Sequence, residues 1–389
     1  MAIPISYNFR NLLVRKTTTV LTVSGVALTV AVLVSLLALV EGLRSSFEAS
    51  GHPLNVLVMR KGATAELMSV VQRSDFQIMK FKAGIAQSKN GQPLASLEMV
   101  TILNNLGNGK AAEGMNLNLR GLTPIGIEMR DQVHLISGRY FQPGRREIVV
   151  GKNILVRYPN VRLGSRVRFG RGSWEVVGIM DGGRSNASSE IYADLNQVSA
   201  DYDRVEYLSS ALLRAVDPVA MQALCNSLEA DPRFNISTES EREYYESQMV
   251  SAAPIRFMGL FVCAIMAVGS SFAAMNTMYA AVARRSADIG MLRVLGFSRT
   301  GILASFLVES LILAALGGVA GCLLALPLNN FHTRIGSFVT FSEISFSLRM
   351  TPEVMAAGVA FGVLMGVLGG LFPARSAAAK EILAAFRAV

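Results

Sequence analysis

The chain has 389 residues, enough for two or three soluble domains at about 150 residues each, yet 51% of them are hydrophobic and only 17% are charged, where roughly 25% charged is usual for a soluble protein. A purely soluble enzyme is disfavoured, and 34 Gly and 12 Pro in no short repeat argue against collagen-like and disordered classes. The formal net charge of +9 then has to be read as topology or as a binding face, and its distribution decides which.

A membrane-spanning helix needs about 20 mostly apolar residues, because the hydrocarbon core is about 30 Å thick. The first such run, 17–40, is uncharged and closed by Glu41. Basic residues precede it, but it exceeds the roughly 7 to 15 residues of a signal-peptide core and no small-x-small site follows, so it reads as an uncleaved anchor. About 210 residues then follow before the next span, enough for one good-sized domain. Alternation predicts strands at 55–59, 147–150, 166–169 and 174–179, with a turn at 170–173 making a hairpin of the last two. Helices are predicted at 63–71 and 218–230, polar turns at 104–110 and 182–189, the latter long enough for a mobile or functional loop. Ser240 and Glu243 have capping-box spacing and start a polar helix that runs toward the second span; 41–49 extends the first in the same way. The remaining spans are 257–283, 302–328 with one carboxylate, Glu309, and 354–374.

Arg10, Arg15 and Lys16, then Arg284, Arg285, Arg293 and Arg299, then Arg375, Lys380 and Arg387 lie at helix ends, against only Asp288 and Glu381. By the positive-inside rule both termini and 284–300 are cytoplasmic. Charge gathered at helix ends, with no interleaved aromatics, is not a nucleic-acid face. The expected fold is a four-helix α-helical membrane protein with a large extracytoplasmic α+β domain inserted between helices one and two. Its parts are a cytoplasmic amphipathic segment (1–16), helix one and a stalk (17–43), the outer domain (44–250), a stalk and helix two (251–283), a cytoplasmic loop (284–300), helix three (301–328), a short outer loop (329–353), helix four (354–374) and a cytoplasmic tail (375–389).

Chemistry is hard to place on this chain. His52, His134 and His332 are far apart with no zinc spacing, and Cys225, Cys263 and Cys322 allow at most one disulfide. Asp201 with Asp203, and Glu241 with Glu243, read as solvated surface. Gly109-Lys110 and Gly151-Lys152 lack the first Gly and the Ser or Thr of a Walker loop. The informative stretches are in and beside the membrane. In 284–300, Ile289, Leu292 and Leu295 recur at i, i+3 and i+6, while Arg284, Arg285, Asp288 and Arg293 supply charge and Gly296 can end the helix. Such a helix suits lipid headgroups or a groove on a partner. Gly358, Gly362, Gly366 and Gly370 recur every four residues, as do Gly317 and Gly321, a spacing that lets helix backbones approach closely. Glu309, about two turns into helix three, should face protein or be neutral.

Met275-Asn276-Thr277-Met278 followed by Ala283-Arg284-Arg285-Ser286-Ala287-Asp288-Ile289-Gly290-Met291-Leu292-Arg293-Val294-Leu295-Gly296-Phe297-Ser298 closely resembles the N-T-M and E-R-x-x-E-I-G-x-L-R-A-L-G-A-S pattern of MacB/FtsX-type ABC transporter permeases in their separate-ATPase form. Gly370-Leu371-Phe372-Pro373-Ala374-Arg375-Ser376-Ala377-Ala378 looks like that family's carboxyl-terminal signature, and Asn11-Leu12-Leu13-Val14-Arg15-Lys16-Thr17 like its amino-terminal one. The outer-domain runs Gly138-Arg139-Tyr140-Phe141, 163–167 and 176–179 are similar more loosely. Arg285-Ser286-Ala287 and Phe297 depart from the pattern. The resemblance implies a non-catalytic permease of the bacterial inner membrane, dimeric with itself or a related permease, whose 284–300 segment is a coupling helix on a cytoplasmic ABC ATPase. ATP and Mg would be bound by that partner and no cofactor by this chain. Motion of the outer domain would drive efflux or extraction of a peptide, antibiotic, siderophore or lipoprotein, with a periplasmic adaptor and outer-membrane channel in a double-membrane bacterium. The alternative it leaves open is an FtsX-like regulator that activates a cell-wall hydrolase without transport.

Overall fold

The computed structural model describes residues 14, 16–103, 116–248, 253–336 and 343–379. Asn11, Leu12, Leu13 and Arg15 of the amino-terminal motif, Arg10, the turn at 104–110, the join between the capped polar helix and the second span, and the tail with Lys380, Glu381 and Arg387 lie outside these residues. The chain forms two compact units, one of Met1–Glu41, Pro254–Phe331 and Leu348–Val389, the other of Gly42–Ala253 and His332–Ser347.

In chain order the elements are α1 (Lys16–Glu48), β1 (Asn55–Arg60), β2 (Val71–Gln72), α2 (Arg73–Met79), β3 (Ala95–Leu103), β4 (Leu117–Leu122), α3 (Pro124–Glu128), β5 (His134–Gly138), β6 (Glu147–Gly151) and α4 (Lys152–Arg157). There follow β7 (Arg166–Phe169), β8 (Gly172–Asp181), β9 (Glu190–Asp194), α5 (Leu195–Asp201), β10 (Tyr207–Leu208), β11 (Ser210–Arg214), α6 (Pro218–Glu229), β12 (Ile236–Ser240) and α7 (Glu241–Gln248). The last group is α8 (Ala253–Arg284), α9 (Ser286–Val294), α10 (Arg299–Ala325), β13 (His332–Gly336), β14 (Glu343–Ser347) and α11 (Pro352–Ala379).

Among the described residues, four helices, α1, α8, α10 and α11, are long and apolar enough to cross a membrane. In hydrocarbon a helix is the form that satisfies every backbone group within one segment, which is why the β-branched Val and Thr of α1 do not turn it into a strand. Its 33 residues make a rod of roughly 50 Å, longer than the roughly 30 Å apolar core of a bilayer.

The second unit is built on one mixed sheet, ordered β12-β1-β11-β3-β4-β9-β6-β8-β5 with β7 on the edge of β8. The β4–β9 and β6–β8 pairs are parallel and the others antiparallel. Phe169 and Trp174 stack at 5.0 Å across the β7–β8 hairpin, which turns where the Gly-Arg-Gly-Ser run predicts. Ser240 caps α7 reciprocally: its Oγ accepts from the Glu243 N–H at 3.0 Å, and Glu243 Oε2 accepts from the Ser240 N–H at 3.3 Å.

Three expectations are corrected. The helix at 63–71 shrinks to a 3-10 turn, Glu66–Met68, because Glu66 is drawn inward by Arg120 and Ser210 while Val71 pairs with Leu208 in a short ladder. The loop at 182–189 is not a free surface loop, since Ser185–Ser189 are buried. Serines fasten it: Ser46 Oγ donates to the Arg184 carbonyl at 2.8 Å, and the Asn186 N–H donates to Ser50 Oγ at 2.8 Å. Asp201 and Glu241 are buried rather than solvated. Arg146 pairs with Asp201, and Glu241 accepts from the His52 N–H and from Asn55 Nδ2.

A buried charge network ties the sheet together. Arg120 on β4 donates to Glu66 through both terminal nitrogens at 2.8 Å and to Glu98 on β3 at 2.7 Å. Arg130, past α3, grips Glu98 at 2.8 and 2.7 Å and lies over the Tyr192 ring. Burial pushes the Glu98 carboxyl up, but Arg130 and Arg120 outweigh it and hold it below its ordinary 4.5. Burial wins at Glu241, which is raised from 4.5 despite Arg130. The signs therefore differ. Glu98 contributes stability above pH 4.5 that is lost as pH falls through its lower folded value, whereas Glu241 weakens the fold once pH rises through its raised value. Glu241→Gln keeps an acceptor for Asn55, so it is expected to raise the melting temperature at neutral pH, with the gain vanishing toward pH 4.5. A pH series of thermal unfolding curves on both proteins checks this.

Candidate coupling site

The segment after α8 is a helix–turn–helix built by local signals. Arg285 breaks the rod between α8 and α9. At the far end Gly296, with φ of +90°, takes the left-handed conformation that side-chain-bearing residues resist. The Gly296 N–H donates to the Arg293 carbonyl and the Phe297 N–H to the Leu292 carbonyl, the paired bonds of a Schellman stop. Two residues on, Ser298 Oγ accepts from the Gly301 N–H at 3.1 Å and starts α10.

α9 has two different faces. Ile289 and Gly290 are buried, Ile289 against Met278, Val282, Ile302, Phe306 and Ala374. Leu292 and Arg293 are half-buried, and Arg284, Asp288 and Leu295 are exposed. The apolar residues turned outward are Met291, Val294 and Leu295, 57%, 62% and 65% exposed. Thus the stripe at 289, 292 and 295 does not stay on one side, and Met291 and Val294 were missed. Their spacing with Leu295, i, i+3 and i+4, is itself an amphipathic signal.

Arg285 is not on that outward face. It is buried and donates to Glu309 on α10 at 2.8 and 3.2 Å, a two-pronged pair with the guanidinium 5.9 Å from the Phe306 ring. Intramembrane acids of this kind are costly unless paired, and here the partner comes from the loop rather than from another span. The pair joins the base of α9 to helix α10.

The glycines are points of close approach within the chain. A methyl group at Gly317 or Gly321 would meet Val26 or the Ala27 carbonyl of α1 at 2.7 and 2.6 Å, and at Gly358 it would meet Val34 of α1 at 2.4 Å. Gly362, Gly366 and Gly370 of α11 face Ala314 and Ser310 of α10, and Ser310 Oγ donates to the Gly366 carbonyl at 2.6 Å. Gly366→Val would place its Cβ 2.3 Å from Ala314 Cβ. Overpacking of this kind costs about 1–3 kcal/mol, so a lower melting temperature in detergent is expected, with partial recovery in Gly366→Val/Ala314→Gly.

Comparison with known proteins places these features in one family. The profile of the MacB-like periplasmic core domain matches residues 19–231, and that of the FtsX-like permease C-terminal matches 260–382. The macrolide export ATP-binding/permease protein MacB of Bradyrhizobium diazoefficiens is 27% identical over 57% of this chain and 34% of its own length. The protein of the same name from Bdellovibrio bacteriovorus is 22% identical over 97% of this chain and 60% of its own length. The chain thus spans between a third and three fifths of these relatives. Among solved structures, the periplasmic region of MacB from Actinobacillus actinomycetemcomitans overlays 51% of this chain and 94% of its own, at 15% identity and a TM-score of 0.40. With the first profile covering more than half of the sequence and the second most of the remaining membrane helices, the chain is a multi-pass inner-membrane protein that belongs to the MacB/FtsX-type ABC transporter permease family.

Proposed function

We propose that the chain is the non-catalytic membrane subunit of an ATP-driven exporter in which an ATPase on a partner chain docks on the outward face of α9 and, through the helices, moves the outer unit. The observation that carries this reading is the exposed apolar patch of Met291, Val294 and Leu295, flanked by Arg284 and Asp288, on a short helix whose other side is fixed by Ile289 and by Arg285 paired with Glu309. A helix that is apolar outward and anchored inward suits a groove on a protein partner. In this scheme both termini and α9 are cytoplasmic, ATP and Mg are bound by the partner, and a second copy or related permease packs in the membrane, where α8 has much uncovered apolar surface. Substrate would be expelled or extracted by motion of the outer unit, handed to an adaptor and outer-membrane channel where there are two membranes. Peptides, antibiotics, siderophores and lipoproteins are the candidate cargoes, and the relatives' names put macrolides among the first to test.

Mild purification from the native membrane, followed by mass spectrometry, tests the scheme. An ATPase with an adaptor is the expected result; an ATPase with a cell-wall hydrolase would replace export by regulation of that enzyme, and absence of any ATPase would overturn the docking assignment. Leu295→Asp is expected to leave the fold intact, since its side chain is exposed, while cutting ATPase recovery at least about tenfold, as loss of a central contact does.

A further inference from the structure

The outer unit contains a cavity of about 30 Å³ beside the starts of β4 and β9, room for about two waters. Asn118 and Glu190, register partners on those parallel strands, both line it. The Glu190 carboxylate is buried, yet its one hydrogen bond among the described residues is a long one, 3.4 Å from Arg120 Nε. A carboxylate can accept at about four positions, so most of this one's capacity is unused. Arg120 has little more to supply, because four of its five N–H donors are already committed, three of them to Glu66 and Glu98.

Two further acceptors are orphaned at the same cavity, Asn118 Oδ1 and Gln248 Oε1. Gln248 is 3% exposed, and its amide is oriented because Nε2 donates to the Thr64 carbonyl at 3.2 Å. The charge balance has the same sign: among the described residues, Glu66, Glu98 and Glu190 pair with Arg120 and Arg130 alone. Aromatic rings complete the wall, Tyr244 edge-on to Tyr245 at 5.4 Å and Phe47 at 6.3 Å from Tyr245. Surplus negative charge and unpaired oxygens both favour a cation. A metal ion is the poorer fit, since among the described residues no three carboxylate, His or Cys groups converge on one point. A quaternary ammonium has no N–H to donate to these oxygens.

We propose that this cavity binds a primary ammonium group, of a free alkylamine or of a lysine side chain on a peptide, with its three N–H donors on Glu190, Asn118 Oδ1 and Gln248 Oε1. The inference stands on the outer unit alone and does not depend on what drives it. The test uses the full chain in nanodiscs, with thermal unfolding followed during titration with butylammonium chloride or N-acetyl-lysine amide, and with sodium chloride and tetramethylammonium chloride as controls. Either amine is expected to raise the melting temperature saturably while the controls do not. Glu190→Gln, nearly isosteric and relieved of the surplus charge, should melt no lower than the unaltered chain without amine, yet need at least about tenfold more amine for half-saturation, the factor a lost charge-assisted hydrogen bond gives. Gln248→Leu should also bind more weakly. Response to butylammonium alone would assign the site to small amines, and response to both would admit a lysine side chain. No shift beyond the sodium chloride control, or unchanged binding in both variants, would leave a pocket for water only and overturn the proposal.

Discussion

Arg285→Ala is expected to cost about 3–5 kcal/mol of folding stability, the penalty for stranding one partner of a buried ion pair, because Glu309 would be left in an apolar bundle without its two donors. Glu309→Leu should cost a similar amount by stranding the guanidinium. The double variant Arg285→Met/Glu309→Leu is the discriminating one. With neither charge to desolvate and a volume the site can fill, its melting temperature should lie well above both single variants. A double variant as unstable as the sum of the singles would show that the two side chains are needed for separate reasons. Partner recovery measured on the same proteins separates fold from function: a stable double variant that no longer turns over ATP with its partner would make the pair a positioning device for α9.

Arg120→Met is expected to be more damaging still, since it leaves Glu66, Glu98 and Glu190 buried, with Arg130 as their remaining cation in the network. Lysine should not rescue it, because one ammonium on a flexible stem cannot reproduce the planar fork that reaches three carboxylates. The pH dependence gives a sharper signature than the loss itself. In the unaltered chain acid removes the stability that Glu98 contributes through its lowered value. In Arg120→Met the stranded carboxyls should titrate above the unfolded range, so lowering the pH from neutral should raise the melting temperature. A rise in melting temperature from neutral toward pH 4.5 that is steeper in Arg120→Met than in the unaltered chain, where Glu241 contributes a slope of the same sign, is the expected result, and parallel slopes would refute the role given to Arg120.

The membrane half of the fold is legible from sequence because its signal is redundant. Twenty or more consecutive apolar residues, with arginines at their ends, admit few structures, and the spans at 17–40, 257–283, 302–328 and 354–374 fall within the observed helices or run a turn past them. The outer sheet was only partly visible. The strands predicted at 55–59, 147–150, 166–169 and 174–179 fall on β1, β6, β7 and β8, but β9 is buried along its whole length and so shows no period of two. β3, β4 and β9 were hidden for another reason: Glu98, Arg120 and Glu190 look like surface positions and are in fact core ones, made tolerable only by one another. Pairing across strands leaves no local trace. The same limit applied at α9, where Arg285 reads as one more cytoplasmic charge until Glu309 is brought beside it.

The hairpin β13–β14 belongs with the outer unit although the chain reaches it only after three of the four spans, and it packs beside the turn at Asn186–Ser189. This sets an order of manufacture. A ribosome has built the great bulk of the outer unit long before His332 is made, so that unit must persist without its last piece while two more helices enter the membrane. Chains halted before the hairpin should therefore keep the sheet but leave the 182–189 segment accessible to protease, and protection of that segment would mark completion of the outer unit while α11 has still to be made.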